Sequence, residues 1–337
     1  MAVKVAINGF GRIGRQALRI IQESHPEVHV VLINDLTDGA TLAHLFEFDS
    51  TYGHYDCGEA CFKDGLLSTK QGPIRITASK DPTTLPHKEL KVDVVLECTG
   101  RFTKRDDAAL HLKAGAKKVI ISAPGKDKVD GTFCIGVNHE TYDPKRMDII
   151  SNASCTTNCL APMAKVLHDS FGIVSGLMTT IHSYTNDQNL LDLPHGDLRR
   201  ARAAAVNIVP TSTGAAKAIG LVVPELAGKL NGVSIRVPTP TGSITDLTVV
   251  TEKETTKEEI NAAFKAAAKG PMKNILACED RPLVLKDFVG NPHSCIIDTQ
   301  LTDVIGGTLV KAFGWYDNEW GYSNRIVELA AYVGSKL

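Results

Sequence analysis

The sequence lacks the features that mark several whole classes of protein. Aromatic residues make up only 6% of its 337 residues, and the two tryptophans lie close together at 315 and 320. No apolar run approaches the ~18 residues of a membrane-spanning helix, and no apolar segment with a cleavage site follows the N-terminus. We therefore expect a cytoplasmic protein with neither a membrane anchor nor a secretory leader.

The eight cysteines include no Cys-x-x-Cys pair. Cys57/Cys61 and Cys155/Cys159 are each separated by three residues, but neither pair has a nearby His or Cys to complete a zinc site. In a cytosolic chain the simplest expectation is that all eight thiols are reduced and that no metal is bound.

An excess of positive charge is also missing. Lys and Arg number 37 against 38 Asp and Glu, which gives a net charge of −1. Nucleic acids and anionic membrane surfaces attract proteins through excess positive charge, so neither is expected as the main partner. At roughly 150 residues per domain, the length predicts two domains.

The first 150 residues alternate between strand and helix patterns. Short Val- and Ile-rich runs alternate with segments of helical period, which predicts an α/β fold with a parallel sheet of the Rossmann type. An antiparallel insertion is expected at about 57–90. The predicted elements are strands at 3–8, 28–33, 92–96 and 119–121 and helices at 12–24 and about 105–114.

The second half predicts an α+β domain with a mixed or antiparallel sheet. Residues 183–203 have no clean period, and such a long irregular stretch is uncommon unless it is functional. The predicted domains are 1–150, which binds a dinucleotide, and 151–318, with a C-terminal helix in 319–337 that packs back onto the first domain. The predicted elements are helices at 155–169, 257–269 and 325–333 and strands at 173–185, 233–237, 244–250 and 307–314.

A glycine motif connects the first strand to the first helix. Gly9, Gly11 and Gly14 form Gly-x-Gly-x-x-Gly, a pattern that allows a tight turn and brings backbone N–H groups to a pyrophosphate at the helix N-terminus. Asp35 follows Gly14 by 21 residues at the end of the second strand, where a carboxylate binds the adenosine ribose of NAD. The alternative is an ordinary glycine turn with Asp35 in a loop.

A cysteine opens the first helix of the second half. Cys155 would lie in the first helical turn, where the helix dipole lowers the pKa of a thiol. His182 closes the strand that follows this helix, and an antiparallel return would bring its imidazole beside the thiol. The alternatives are a buried structural cysteine after an N-cap serine and a structural histidine.

Arginines and a hydroxyl-rich turn add candidate anion-binding groups. Arg200 belongs to a cluster in the irregular stretch, Arg236 ends a short strand, and Thr213 and Gly214 precede a helix. A solvated basic face would also explain any one of these arginines. With a nicotinamide site and an active cysteine, the set suggests oxidation of an aldehyde through a hemithioacetal and a thioester.

Along essentially its whole length, the sequence resembles the phosphorylating glyceraldehyde-3-phosphate dehydrogenases. The segment Ser-Asn-Ala-Ser-Cys-Thr-Thr-Asn-Cys at 151–159 matches the active-site signature of that family. Further matches are Asn-Gly-Phe-Gly-Arg-Ile-Gly-Arg at 8–15, His-Ser-Tyr-Thr at 182–185 and Trp-Tyr-Asp-Asn-Glu-Trp-Gly-Tyr-Ser at 315–323. Leu285 and Lys286 depart from the small polar residues often found there, outside the matched catalytic positions.

The resemblance implies a substrate, a cofactor and an assembly. It implies NAD-dependent conversion of glyceraldehyde 3-phosphate and inorganic phosphate to 1,3-bisphosphoglycerate by a homotetramer. The loop at about 183–205 would reach the cofactor site of a neighbouring subunit, and Leu193-Pro194 matches the NAD-specific members.

The resemblance also implies a role for each matched residue. Cys155 would be the nucleophile, activated by His182, with the Cys155 backbone N–H at the developing oxyanion. The C3 phosphate would bind Thr185 and Arg236, and inorganic phosphate would bind Ser154, Thr156, Thr213, Gly214 and, among the three clustered arginines, Arg200. The cofactor would contact Gly9, Gly11, Arg12, Ile13, Gly14, Asp35, Lys80, Ser122 and Asn318.

Other functions remain open at this point. A sister enzyme would act on erythrose 4-phosphate or would use water in place of phosphate. A cysteine hydrolase would use Cys155 and His182 but would leave Asp35 and the glycine motif unexplained. A protein that binds RNA through its nucleotide site is disfavoured by the net charge of −1.

Overall fold

The computed structural model describes residues 2–57 and 61–337. The backbone forms two compact units, each of which is built from separate segments. The first unit comprises Met1–Phe133, His139–Ala153 and Ser323–Leu337, and the second comprises Cys134–Asn138 and Ser154–Tyr322.

Alternating strands and helices form most of the first unit. Its strands are β1 (Val3–Asn8), β2 (Val28–Asn34), β3 (Phe48–Asp49), β4 (Gly53–His54), β5 (Phe62–Lys63), β6 (Leu66–Leu67), β7 (Ile74–Thr77), β8 (Val94–Glu97), β9 (Lys118–Ile121), β10 (Gly131–Thr132) and β11 (Ile149–Ser151). Its helices are α1 (Arg12–Ser24), α2 (Gly39–Glu47), α3 (His87–Leu90), α4 (Arg105–Ala108) and α5 (Leu110–Lys113), with single 3₁₀ turns at Pro82–Thr84 and His139–Thr141.

The main sheet of this unit has the order β10-β11-β9-β8-β1-β2-β7-β6-β5. β1 pairs in parallel with β2 and with β8, and most residues of these central strands are apolar and buried, as in parallel sheets that are covered on both faces. The antiparallel insertion is only partly as expected, because β5 and β6 are antiparallel but β7 runs parallel to β2. The helix expected at about 105–114 is two short helices, α4 and α5.

The second unit contains α6 (Cys155–Phe171), α7 (Ala215–Val222) and α8 (Lys257–Lys269) beside one large sheet. Its strands are β12 (Ile173–Ser183), β13 (Val209–Ser212), β14 (Leu230–Val237), β15 (Ser243–Thr251), β16 (Leu276–Glu279), β17 (Cys295–Asp298), β18 (Asp303–Ile305) and β19 (Leu309–Tyr316), with 3₁₀ turns at Ala204–Val206, Pro224–Leu226 and Leu285–Phe288. α8 spans the predicted residues because a capping box at Thr256 and Glu259 begins it.

The sheet of the second unit is mixed. Its order is β13-β14-β12-β15-β19-β17-β16, and β18 pairs with β19. β12 runs parallel to β14 and antiparallel to β15, and this register places His182 beside Arg236 on one side and Ser243 on the other. The α/β fold class expected from the sequence is confirmed.

Two further segments bear on the sequence expectations. Residues 184–203 contain no helix or strand, as the irregular pattern predicts. The last helix, α9 (Trp320–Gly334), was expected to be amphipathic from 325 to 333, but it is longer, and ten of its fifteen residues are buried while the other five are half-buried. Even Arg325 is 1% exposed, and its guanidinium binds Glu328 one turn later. No helix in the described part of the chain is long and apolar enough to cross a membrane.

Candidate functional site

Cys155 is the first residue of α6. Ser154 is the N-cap, and its hydroxyl oxygen accepts a hydrogen bond from the Thr157 backbone N–H at 3.0 Å. Ala153, immediately before, adopts a positive φ of 56°, so the chain turns sharply between β11 and α6. Cys155 therefore lies at the N-terminus of the helix and is partly accessible, whereas Cys159, one turn later, is fully buried and donates to the Gly314 carbonyl.

His182 lies near the end of β12 and faces the thiol. Its Nε2 is 3.4 Å from the Cys155 Sγ, within hydrogen-bonding distance for sulfur. The ring is buried, and its Nδ1 is 2.7 Å from the Ser183 carbonyl oxygen. The structure thus brings together the two residues that the sequence proposed as nucleophile and base.

Arg236 contacts the same imidazole from β14. Its Nη1 donates to His182 Nδ1 at 2.5 Å and to the Ser183 carbonyl at 3.0 Å. The Arg236 Nε is buried without a hydrogen-bond partner in the described structure. A buried cationic donor without an acceptor fits an anionic ligand.

Burial and the Arg236 charge set the ionisation of the pair. Desolvation and, as the second cause, the neighbouring guanidinium together lower the pKa of His182 to about 3, so the imidazole is neutral. Desolvation also raises the pKa of the Cys155 thiol, against opposing effects of Arg236 and of hydrogen bonds from Thr156. The lowered thiol pKa that the helix N-terminus predicted is wrong in direction, because burial outweighs the local stabilisation.

Tyr316 packs beneath the catalytic pair, and no motif in the sequence points to that position. Its hydroxyl is 2.9 Å from Thr156 Oγ1 and 2.8 Å from Thr180 Oγ1, and its ring lies edge-on to the His182 ring at 6.0 Å. Burial raises the pKa of this phenol, so it stays protonated. Position 316 carried a signal, since it ends an alternating strand, but nothing in the sequence pairs it with the distant residue 156.

The candidate phosphate groups occupy the ends of neighbouring elements. Thr185 follows β12, and Gly214 is the N-cap of α7, with open space where a Cβ would lie. Thr213 Oγ1 accepts from the Ala215 N–H at 3.2 Å. The Arg200 Nε donates to Thr211 Oγ1 at 2.9 Å, and its Nη2 to the Ser212 carbonyl at 3.3 Å, which holds this guanidinium next to the turn before α7.

The other two clustered arginines are exposed and have no described contact with the turn before α7. Arg202 forms an ion pair with Asp192 at 3.0 Å, and both side chains are well exposed. Arg199 is exposed. Of the three, Arg200 alone has a described contact to the segment that precedes Thr213, although its guanidinium also binds Asp187.

Asn318 is buried, and its orientation is fixed. Its Oδ1 accepts from Ser183 Oγ at 3.0 Å, from the Gly242 N–H at 2.8 Å and from Ser243 Oγ at 3.2 Å. The amide oxygen is therefore saturated, and hydrogen-bonding capacity remains on the Nδ2 group. An oriented amide donor is what the resemblance requires of the residue that contacts a carboxamide.

The first unit contains a cavity of about 480 Å³ at the carboxyl ends of its parallel strands, the usual ligand position in such sheets. Asp35 lines it, and its two carboxylate oxygens accept from the Phe10 N–H at 2.8 Å and the Thr37 N–H at 3.0 Å, leaving lone pairs for a diol. The lining residues are Asn8, Gly9, Gly11, Asn34, Asp35, Leu36, Ser79, Lys80, Pro82, Cys98, Thr99, Arg101 and Phe102.

The glycine turn closes tightly under this cavity. Gly9 has φ +92°, and a Cβ there would lie 2.7 Å from the Thr99 backbone nitrogen. A Cβ on Gly14 would lie 2.3 Å from the Gly9 carbonyl oxygen. The N-cap of α1, Gly11, makes no side-chain cap, so the first backbone N–H groups of the helix, at Arg12 and Ile13, suit an anion.

Two candidate cofactor contacts have other positions. The Arg12 side chain binds Asp49, which leaves its backbone as the group near the turn. Ser122 follows β9, and its backbone N–H donates to the Glu97 carbonyl at 3.0 Å; it is not among the lining residues of the cavity. The residues that fit a dinucleotide are thus the glycine turn, Asp35 and Lys80.

A buried polar network supports the cavity floor. Glu97 accepts from Asn8 Nδ2 at 2.5 Å and from the Thr99 N–H at 2.9 Å, and it pairs with His111 at 3.1 Å. His111 in turn contacts His87, and both rings are fully buried. Desolvation lowers the pKa of His87 to about 4, so that imidazole is neutral. No local sequence pattern identifies these residues, because they meet only across the folded sheet.

One cysteine pair departs from the sequence expectation. Cys57 and Cys61 form a disulfide with a Cα separation of 5.1 Å, so the expectation of eight reduced thiols is wrong for this pair. The other six cysteines are free. The carboxylate of Glu47 also lies within 4.8 Å of both sulfurs, a neighbour that a search for nearby His or Cys could not find.

Comparisons with known proteins cover both units. Residues 3–105 match the model described as glyceraldehyde 3-phosphate dehydrogenase, NAD binding domain, and residues 154–318 match its C-terminal domain. The chain is 59% identical over 336 residues to the glyceraldehyde-3-phosphate dehydrogenase of Geobacillus stearothermophilus, covering 100% of this chain and 99% of that one.

Two further relatives match over the whole chain. Identity is 57% to glyceraldehyde-3-phosphate dehydrogenase 1 of Bacillus subtilis (strain 168), covering 100% and 99% of the two chains. It is 54% to glyceraldehyde-3-phosphate dehydrogenase 2 of Streptomyces avermitilis, covering 100% of both.

These matches confirm the predicted family and the predicted use of NAD in an oxidoreductase that acts on an aldehyde group. The chain belongs to the glyceraldehyde-3-phosphate dehydrogenase family.

Proposed function

We propose that this protein oxidises glyceraldehyde 3-phosphate with NAD⁺ and inorganic phosphate to give 1,3-bisphosphoglycerate, with Cys155 as nucleophile and His182 as base. The observation that carries the proposal is the 3.4 Å contact between Cys155 Sγ and the neutral His182 Nε2, with the Arg236 guanidinium on the same ring. The relatives that carry this name in three bacteria support the choice of substrate.

In the first step Cys155 adds to the aldehyde. Because the thiol is protonated at rest, its proton passes to His182 Nε2 as the sulfur bonds to the carbonyl carbon. The carbonyl oxygen gains negative charge, which the backbone N–H groups at the start of α6 stabilise, and it then takes the proton back from His182 Nε2 to give a hemithioacetal with His182 neutral again.

In the second step the carbon is oxidised. NAD⁺ supplies a hydride acceptor when bound. His182 accepts the hydroxyl proton as the carbonyl re-forms, which leaves a thioester on Cys155. Inorganic phosphate then attacks the thioester carbon and releases the Cys155 thiolate, which regains a proton from His182.

Arg236 controls which nitrogen of His182 acts as the base. Its Nη1 has only hydrogens to donate, so its contact with Nδ1 requires a lone pair there, whereas the Ser183 carbonyl requires an N–H at the same atom. When the C3 phosphate of the substrate draws Arg236 away, Nδ1 is free to donate to Ser183. Nε2 then becomes the acceptor that the thiol needs, so substrate binding selects the active tautomer.

The phosphate groups are assigned by the donors around each position. Arg236, with its unpartnered Nε, binds the C3 phosphate together with Thr185. Ser154, Thr156, Thr213, Gly214 and Arg200 bind the attacking phosphate; the contacts of Arg200 to Thr211 and Ser212 favour it over Arg199 and Arg202.

The cofactor is held by backbone donors and two fixed side chains. The N-terminus of α1, at Gly11, Arg12 and Ile13, binds the pyrophosphate, and Asp35 accepts hydrogen bonds from the adenosine ribose. Asn318 donates from its Nδ2 to the nicotinamide carboxamide. Lys80, which lines the cavity, contacts the adenosine side. Ser122 is not among the lining residues, and its contact with the cofactor stays an expectation from the resemblance.

The irregular segment supports the homotetramer that we propose. Four of its leucines are largely exposed, from 61% at Leu193 to 83% at Leu198. Apolar side chains this exposed in one segment mark a surface that another protein covers, and the occupant we propose is a second copy of this chain. Sizing chromatography showing a ~36 kDa monomer would remove the assembly. The cytoplasmic location stays a prediction of the sequence.

Steady-state assays separate this proposal from its rivals. NADH formation is measured with glyceraldehyde 3-phosphate and with erythrose 4-phosphate, each with and without inorganic phosphate. We expect the first aldehyde with phosphate to be fastest; dominance of erythrose 4-phosphate, or turnover that ignores phosphate, identifies a sister enzyme. The Cys155→Ser variant should lose at least about 10³-fold in rate while it still binds NAD, and Cys278→Ser serves as the matched thiol control.

A further inference from the structure

Two sulfurs and a carboxylate converge on the surface of the first unit. Cys57 and Cys61 have Cα atoms 5.1 Å apart, and a carboxylate oxygen of Glu47 lies within 4.8 Å of both sulfur atoms. All three residues are partly exposed, so solvent and ions reach them. None of the three belongs to the candidate cofactor or catalytic sites.

The ligand atoms are held by packed elements on both sides. Glu47 ends α2, and its carbonyl accepts from the Tyr55 N–H at 2.7 Å. The Tyr55 ring is buried against Phe46 at 4.6 Å, two residues before Cys57. On the other side of the pair, Phe62 follows Cys61 and packs so closely on Gly39 that a Cβ there would lie 2.3 Å from the ring.

His54 contacts the carboxylate of Glu47. His54 Nε2 lies 3.3 Å from Glu47 Oε1, so it can orient the carboxylate by a hydrogen bond. Metal-bound carboxylates and histidines are commonly fixed by such outer partners, which tune affinity. The cluster therefore provides two soft ligands and one oriented hard ligand.

We propose that the reduced thiols of Cys57 and Cys61, together with Glu47, bind a thiophilic divalent cation of the zinc class. Two thiolates and one carboxylate are ligands that Zn²⁺ prefers, and three protein ligands leave a fourth, tetrahedral position for water. Binding releases the two thiol protons, so affinity rises with pH.

The disulfide and the bound cation exclude each other. The cation needs both sulfurs as thiolates, whereas in the oxidised protein the two sulfurs are bonded to each other. A peroxide such as H₂O₂ takes two electrons from the metal-bound thiolate pair. The S–S bond forms, the O–O bond breaks to give two hydroxide ions, and the divalent cation is released. A dithiol reductant reverses the oxidation by supplying two electrons and two protons, which regenerates both thiols.

The test uses Zn²⁺ with a chromogenic chelator as competitor, in a Cys155→Ser background that removes the reactive thiol. We expect one equivalent of Zn²⁺ bound after reduction and none after oxidation with H₂O₂. Glu47→Gln should weaken binding at least about 10-fold, and Cys57→Ser with Cys61→Ser should abolish it. Glu89→Gln and Cys278→Ser are matched controls that should leave the affinity unchanged.

Three results would overturn the proposal. They are no Zn²⁺ retained by the reduced protein, equal retention after oxidation, and unchanged retention in the double serine variant. NAD binding by each variant, measured in parallel, shows that the first unit is folded, so a loss of Zn²⁺ reports the site rather than unfolding. The cluster shares no residue with the catalytic pair or the cofactor site, so its failure and the failure of the dehydrogenase assignment are separate outcomes.

Discussion

Replacing Arg236 with glutamine should slow alkylation of Cys155 and move its pH dependence upward. The Arg236 Nη1 and the Cys155 Sγ both contact the ring of His182, at 2.5 and 3.4 Å, so the charge lies within about 8 Å of the sulfur. At an effective dielectric constant of about 20, one unit charge at that distance changes the energy of a thiolate by ~2 kcal/mol, which is more than a tenfold change in the thiolate population.

The sign of this effect follows from the groups involved. A positive charge favours the thiolate, so removing it raises a thiol pKa that burial already holds above its ordinary value. The same substitution removes a positive charge that lowers the pKa of His182, so this pKa of about 3 should rise toward the ordinary range of histidine. The rate of iodoacetamide alkylation at pH 8 should therefore fall at least about 10-fold, because the thiolate is the reactive form and its fraction falls about 10-fold for each unit by which the thiol pKa rises.

The assay is performed without substrate, so lost phosphate binding does not enter. Incorporation into the peptide that contains Cys155 is followed by mass spectrometry from pH 6 to 11, which separates it from the partly exposed Cys98 and Cys278. Arg236→Lys keeps the charge and should stay within about 3-fold of the parent rate. An Arg236→Gln profile that superimposes on the parent, or that moves to lower pH, would refute the electrostatic reasoning.

Three further substitutions test other parts of the two units. Gly9→Ala forces a Cβ to 2.7 Å from the Thr99 nitrogen at φ +92°, so we expect the dissociation constant for NADH, measured by fluorescence titration, to rise at least about 10-fold; an unchanged constant contradicts the tight turn. Tyr316→Phe leaves two buried threonine hydroxyls without their partner and should lower the free energy of unfolding by ~1–3 kcal/mol in a denaturant titration. Glu97→Leu removes the acceptor of the Thr99 N–H and the partner of His111, which should cost at least about 3 kcal/mol in the same titration; a loss below 1 kcal/mol would show that the network is dispensable.

Local sequence signals predicted the elements that begin or end with a clear chemical boundary. β1 and α1 begin and end at the expected residues because a glycine turn separates a period-2 run from a helical one. α8 does so because Thr256 and Glu259 cap it. Where no such boundary exists, as between Ala108 and Leu110, the expected single helix is two.

Only the site residues that lie within a recognisable local motif could be predicted from the sequence. The sequence could place Cys155 at a helix start and His182 at a strand end, and the folded chain brings Sγ and Nε2 to 3.4 Å. It could not find Tyr316, whose contacts to Thr156 and Thr180 span 160 and 136 residues of chain. Contacts at such separations follow from the order of strands in the sheet, which a periodicity does not specify.

The resting state of the nucleophile shows why position on a helix does not fix its chemistry. A thiol at a helix N-terminus gains stabilisation for its anion, but that gain is limited to about a kilocalorie per mole where the group is exposed. At Cys155 the desolvation of the sulfur opposes it and decides the direction of the pKa. The neighbouring imidazole is neutral at the same time, so the thiol proton has not passed to His182 to form an ion pair before the aldehyde binds. Reactivity therefore depends on His182 taking the proton as the aldehyde binds, which makes the contacts of its Nδ1 with Arg236 and Ser183 the control point of the first step.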